Sequence, residues 1–273
     1  GFLWLASYLV AGYFLDTPSI STSGEQIAVI PVSGMITLEG SGTLFSSTTS
    51  GEGIVEKIEE ANENENVKGI VLEINSPGGT VMGSKVVVDA LKDVDKPVVA
   101  VITEYGTSGA YWIASQADTI VADDLSIVGS IGVLGSYLEF GGLLSDYNIT
   151  YQRLVSGDHK DISTPYREMT EEEEILIQAR LEGIHDYFVR DVAEGRDMAE
   201  EDVRELATGL FYLGYDSIDN GLIDALGDKD YAINLTKEMA GITNGDVEEY
   251  VDEEGWFDSF WAYSAYSSYY IGQ

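Results

Sequence analysis

The chain has 273 residues, no cysteine, and 48 acidic against 14 basic side chains, a formal net charge of −34 at pH 7. Disulfides and thiolate metal sites are thereby excluded, and with His159 and His185 as the only histidines a histidine-rich metal centre is not expected either. No basic stripe exists to neutralise phosphates, so nucleic acid is not expected as a partner. Repulsion among so many carboxylates is screened only where salt shortens the Debye length to about 3 Å, which points to a halophilic source.

Residues 1–15, GFLWLASYLVAGYFL, are uncharged and almost wholly apolar. At about 1.5 Å per residue such a helix spans roughly 22 Å, short of the roughly 30 Å hydrocarbon core. Residues 1–17 are therefore expected to be the outer part of a transmembrane anchor, truncated at Gly1. Residues 16–25 are polar, carry Thr17-Pro18, and form a linker leaving the membrane.

Residues 27–32 give a short β-rich run, and the glycine- and serine-rich stretch 40–53 reads as a mobile loop before a helix over 53–61. A βα rhythm follows. Residues 67–74 form an apolar, β-branched strand ending in Asn75-Ser76-Pro77-Gly78-Gly79, and Thr80 caps a helix running to Leu91. Residues 97–102 form another buried strand, followed by a helix over 108–116, and 119–122, 130–134 and 150–155 are further short strands. Thr170 with Glu173 has the spacing of a capping box. Ile177, Leu181, Ile184 and Phe188 give the long helix behind it one buried face. Helices over 199–206, 215–220 and 228–240 complete the domain, which spans 18–244. Strands alternating with helices predict an α/β fold with largely parallel strands.

Two segments offer chemistry rather than packing: Tyr105-Gly106-Thr107-Ser108-Gly109-Ala110, and Ser156-Gly157-Asp158-His159-Lys160-Asp161 with Pro165 and Arg167 behind it. Serine is a weak nucleophile until a base takes its proton. Ser108 lies between a buried strand and a helix start, where backbone N–H groups favour developing negative charge. The base is His159 or Lys160; neighbours in an extended segment point to opposite sides, so only one of them can face Ser108. A lysine serves when burial or a nearby cation lowers its pKa. Gly78, Gly79 and Gly109 leave N–H groups uncovered at one edge of a parallel sheet, as an oxyanion hole requires. Arg167 is expected to anchor structure through a carboxylate.

The ordered set Asn-Ser-Pro-Gly-Gly at 75–79, Thr-Ser-Gly at 107–109, Gly-Ser-Ile-Gly-Val at 129–133, Ser-Gly-Asp-His-Lys-Asp at 156–161, Pro-Tyr-Arg-Glu-Met-Thr at 165–170 and Gly-Leu-Ile-Asp at 221–224 resembles the signal peptide peptidase A family. These are membrane-anchored Ser–Lys peptidases of the ClpP/crotonase superfamily. The likeness runs from about Ile27 to Ala240. It implies a ClpP/crotonase-like spiral of βα units, with 18–244 as the peptidase domain. It implies Ser108 as nucleophile, Lys160 as general base, and Ser130 as the residue that aims the lysine. No cofactor is implied. The implied substrates are remnant signal peptides or other apolar peptides at the membrane. The implied assembly is a homo-oligomer enclosing the active sites, with the catalytic domain on the outer face of the cell membrane. Ala110 stands where the family usually has glycine, which bears on side-chain preference.

Related membrane peptidases that cut stomatin-like proteins, acyl-CoA hydratases of the wider superfamily, and a catalytically silent peptide-binding scaffold are the alternatives. The tail, 245–273, is acidic and then aromatic, with Trp256, Phe257, Phe260, Trp261 and several tyrosines. Such residues suit a neighbouring subunit, the membrane–water interface, or the protein's own cleft.

Overall fold

The structure is a computed structural model that describes residues 24–40 and 48–251. The expected anchor, the loop at 41–47 and the aromatic tail from 252 lie outside the described residues. No helix among the described residues is long and apolar enough to cross a membrane.

In chain order the strands are β1 (Gln26–Ser33), β2 (Met35–Thr37), β3 (Thr48–Ser50), β4 (Val67–Ser76), β5 (Val98–Thr107), β6 (Thr119–Ala122), β7 (Ile127–Gly129), β8 (Phe211–Leu213), β9 (Ala225–Leu226) and β10 (Asp246–Glu249). The helices are α1 (Gly51–Glu63), α2 (Val81–Lys92), α3 (Gly109–Ala114), α4 (Gly141–Asp146), α5 (Glu171–Gly195), α6 (Glu200–Leu206), α7 (Gly214–Asp219) and α8 (Lys229–Met239). The main sheet runs β10-β1-β4-β5-β6-β9, with β7 beside β5 and β8 beside β7. Every pairing is parallel except β7 with β8.

Side chains alternate across the sheet, so each strand feeds two cores. Ile30, Ile70, Leu72, Ile74 and Ile102 face one way and pack under α1, α2 and α3. Ile27, Val29, Val71, Val99 and Val101 face the other way, toward Ala232 and Ile233 of α8. That double burial explains why β4 and β5 read as continuous apolar runs rather than alternating ones. The predicted caps form: Thr80 Oγ1 accepts from Gly83 N–H at 3.2 Å, and Thr170 and Glu173 make the reciprocal capping box.

Several sequence expectations are corrected. Residues 130–134 are not a strand; the strand ends at Gly129, because Gly129 and Ser130 take positive φ, 87° and 50°. Residues 150–155 are not a strand either, and a short helix, α4, precedes them. The part of the 40–53 loop that is described holds β3 and the first turn of α1. Helix α3 is six residues, shorter than the 108–116 expected. The register of Asp246 with Gln26 places residues assigned to the tail inside the main sheet. Of the four residues expected to form the buried face of α5, Phe188 is fully buried, while Ile177, Leu181 and Ile184 are half-buried.

The buried end of α5 is fastened to α3 through Trp112. Its ring stacks on Phe188 with centroids 5.0 Å apart, and its Nε1–H donates to Asp191 Oδ2 at 3.1 Å. Asp191 also accepts from Lys92 Nζ at 3.2 Å, joining α2, α3 and α5. Phe188 is 2% exposed. Replacing it with alanine removes a whole ring from a packed site, and Phe188→Ala is expected to lower unfolding free energy by about 3–5 kcal/mol in urea titration.

Candidate active site

Three chain reversals meet at one edge of the sheet. Ser76 pairs with Gly106, and Thr107 pairs with Gly129, so the parallel register brings the loops after β4, β5 and β7 side by side. Ligands of open parallel sheets bind outside the carboxyl ends of the strands.

After β4 the chain turns through Ser76, whose hydroxyl donates to Gly34 O at 2.6 Å and accepts from Gly78 N–H at 3.1 Å. The Gly78 N–H is therefore committed. Gly78 takes φ 93°, and a Cβ there would sit 2.7 Å from Gly109 N. At Gly79 a Cβ would lie 1.8 Å from Ile36 O, which forces glycine where the loop bridges to β2.

After β5, Ser108 is held at φ 53°, ψ −126°. Its N–H donates to Gly129 O at 2.8 Å, and its carbonyl accepts from Trp112 N–H at 3.0 Å. Such a backbone costs on the order of 1–3 kcal/mol in a residue with a side chain, and such outliers cluster at functional sites. Among the described residues the N–H groups of Gly79 and Gly109 donate to nothing. The two are close, since a Cβ on Gly109 would be 3.5 Å from Gly79 N.

Ser108, Gly78, Gly79, Gly109 and Ser130 all line one cavity of about 780 Å³. Its opposite wall is α5, through Leu181, Ile184, His185 and Phe188. The structure thus brings together the predicted serine, glycines and Ser130. Ser130 sits at φ 50°, and its hydroxyl donates to Gly209 O at 3.1 Å.

Lys160 is not among the residues lining the cavity. It is exposed, in a turn where its N–H donates to Gly157 O at 3.1 Å. His159 is outside the cavity too, with Nε2 3.8 Å from Glu172 Oε1 at the start of α5. Neither candidate base is thus part of the lining of the Ser108 cavity. The next residue, Asp161, is tied down: Arg153 Nε donates to its Oδ2 at 2.9 Å and Arg167 Nη2 to its Oδ1 at 3.1 Å. Arg167 also makes a paired contact with Glu173, both nitrogens at 2.7 Å. Arg167 is thus the structural anchor the sequence suggested, clamping the Lys160 turn to the N-terminus of α5.

Sequence reasoning missed Ser84 and His185, which line the same cavity. Ser84 follows Thr80 by one helical turn, and His185 adjoins Ile184 of the apolar stripe, so both lay on predicted helices with their facing undetermined.

Hydrogen bonds from Arg167, then from the Thr170 backbone, hold the Glu173 carboxyl down to about 2. Those from Arg153 and then Arg167 hold Asp161 well below the usual carboxylate range. Both folded values are depressed, so the stabilisation is present above the unfolded values, about 4, and is lost as pH falls through the folded ones. Arg167→Gln is expected to lower the melting temperature at pH 7. The gap from wild type should narrow between about pH 4 and pH 2 in scanning calorimetry.

The profile of peptidase family S49 matches residues 90–243, and that of Clp protease matches residues 44–121. The chain is 33% identical over 250 residues to a putative signal peptide peptidase SppA of Enterococcus faecium, covering 90% of this chain and 73% of that protein. It is 31% identical over 255 residues to a putative protease of Methanocaldococcus jannaschii, covering 92% and 81%. With Protease 4 of Salmonella typhi it shares 32% identity over 244 residues, covering 88% of this chain and 38% of that protein.

Proposed function

The chain belongs to peptidase family S49 and is a serine peptidase; on that premise we propose that Ser108 is the nucleophile and Lys160 the general base of a Ser–Lys dyad. The observation that carries this reading is Ser108 itself: a strained serine on a large cavity, beside two N–H groups with no acceptor.

In the proposed cycle the Ser108 hydroxyl adds to the scissile carbonyl carbon while its proton passes to the neutral Lys160 amine. The oxyanion is held by the N–H groups of Gly79 and Gly109, and Gly78 contributes shape rather than a donor because its N–H is engaged by Ser76. Lys160 returns the proton to the leaving amine, and an acyl-enzyme remains on Ser108. Water, deprotonated by Lys160, releases the acid and restores the serine.

In this reading the base comes from outside its own chain's cavity, whose lining does not include Lys160. The segment bearing Lys160 carries Leu134, Leu138, Tyr147 and Leu154 at 85%, 73%, 72% and 95% exposure. In so acidic a chain, such apolar area is what a neighbouring copy covers. We therefore place Lys160 in the cavity of a second copy, inside a homo-oligomer. There Ser130 orients it.

The apolar cavity wall and the name of the Enterococcus relative support remnant signal peptides, or other apolar peptides, as substrates. Residues 1–17 support attachment to the cell membrane by a single-pass anchor, and the family resemblance supports a catalytic domain on its outer face. The order of βα units and the Clp protease match support the crotonase-like spiral. The charge of −34 supports a halophilic source.

On an apolar signal-peptide-like substrate in molar salt, Ser108→Ala is expected to be inactive and Lys160→Ala to be down about 10²–10⁴-fold. Mixing the two before assembly is expected to restore activity, since some cavities then receive an intact serine and an intact lysine. Co-assembly with no restoration would sink the shared site. The unfolding midpoint of wild type is expected to rise steadily from dilute to molar sodium chloride, followed by circular dichroism.

A further inference from the structure

Buried polar atoms without a hydrogen-bond partner are few in folded proteins, and each one asks for a reason. Among the described residues Ser84 Oγ and His185 Nε2 are two such atoms, and both residues line the Ser108 cavity. They come from opposite walls, α2 and α5.

Ser84 is 1% exposed. Its backbone N–H donates to Thr80 O at 3.1 Å, but its hydroxyl does not take that carbonyl as acceptor. The hydroxyl lies against Gly109: a Cβ at Gly109 would fall 2.1 Å from Ser84 Oγ. Glycine beside the nucleophile thus does two things, freeing an N–H and leaving room for the buried Ser84 hydroxyl. His185 is one helical turn before Phe188. Val81, Trp112, Ile184 and Phe188 supply apolar surface to the same cavity.

We infer that Ser84 and His185 form a polar subsite that hydrogen-bonds the neutral tip of a substrate side chain whose stem lies against these apolar residues. The chain then prefers tyrosine or glutamine over phenylalanine or leucine at the position bound there. This rests on the cavity being the peptide-cleaving site. A serine hydroxyl donates and accepts, and a neutral imidazole nitrogen does one or the other. A hydroxyl or carboxamide tip, itself donor and acceptor, satisfies either arrangement. A carboxylate tip meets Glu182, which lines the same cavity. An alkyl or phenyl tip leaves both atoms unpaired.

The test uses the full chain in molar salt with fluorogenic peptides matched except for Tyr/Phe or Gln/Leu at each of the three residues before the scissile bond. At one position the polar partner is expected to have a kcat/KM about threefold to tenfold higher, the worth of one added hydrogen bond. Ser84→Ala and His185→Leu should bring that ratio near one, and His185→Gln should keep most of it. The same pairs titrated calorimetrically into Ser108→Ala should show the same preference in affinity. No preference at any position, or one that survives both Ser84→Ala and His185→Leu, overturns the subsite; water then satisfies the two atoms. If wild type cleaves nothing while Ser108→Ala retains the binding preference, the subsite stands and the peptidase role of Ser108 falls. Cleavage without preference has the reverse meaning.

Discussion

Parallel pairing of β4 with β5 and of β5 with β7 is the constraint on which the site depends. Parallel neighbours run in one direction, so their exits share one edge. Ser76 opposite Gly106 and Thr107 opposite Gly129 put three turns within touching distance there. The crowding then dictates the residues. Gly79 must lack a side chain to reach Ile36 O, Gly78 to clear Gly109, and Gly109 to clear Ser84. What remains uncovered is a pair of N–H groups and a serine hydroxyl on a common cavity.

The second wall of that cavity is held less tightly. Helix α5 is fixed at its far end, where Phe188 stacks on Trp112 and Asp191 receives the indole and Lys92. Its near end is tied by charge, through Arg167, Glu173 and Asp161. Hydrophobic packing and ion pairing thus share one helix, and the half-buried stretch between them faces the cavity. The near-end clamp also fixes the Lys160 turn, so the orientation of the proposed base and the mouth of the cavity are mechanically linked.

The Lys160 segment is the least self-sufficient part of the fold. It is held by Arg153, Arg167 and the Phe140 N–H to Pro165 O bond of 2.7 Å, yet it leaves leucines and tyrosines in water. A chain of net charge −34 resists casual association at low salt. Assembly through that apolar segment would therefore couple the completion of the site to the ionic conditions.

Much of this was legible in the sequence, for local reasons. The buried runs of β4 and β5 announce themselves by β-branched continuity, Thr80 and Thr170 by capping chemistry, and the Pro77–Gly79 and Ser108–Gly109 turns by residues that packing alone does not favour. Short-range rules failed where tertiary context sets the backbone. Residues 130–134 and 150–155 have strand-like composition, but among the described residues no strand pairs with them, and Ser130 is turned aside by its bond to Gly209. Strand β10 is acidic and exposed along its length, and only pairing with β1 makes it a strand. The sequence by itself determined the α/β class, the ordered motifs and the residue types of the site. Only the tertiary structure decided that Gly79 rather than Gly78 keeps a free N–H, that Ser84 and His185 share the cavity, and that Lys160 stands outside it. Which groups meet across a cavity depends on contacts between residues far apart in the chain, and local propensity carries no record of them.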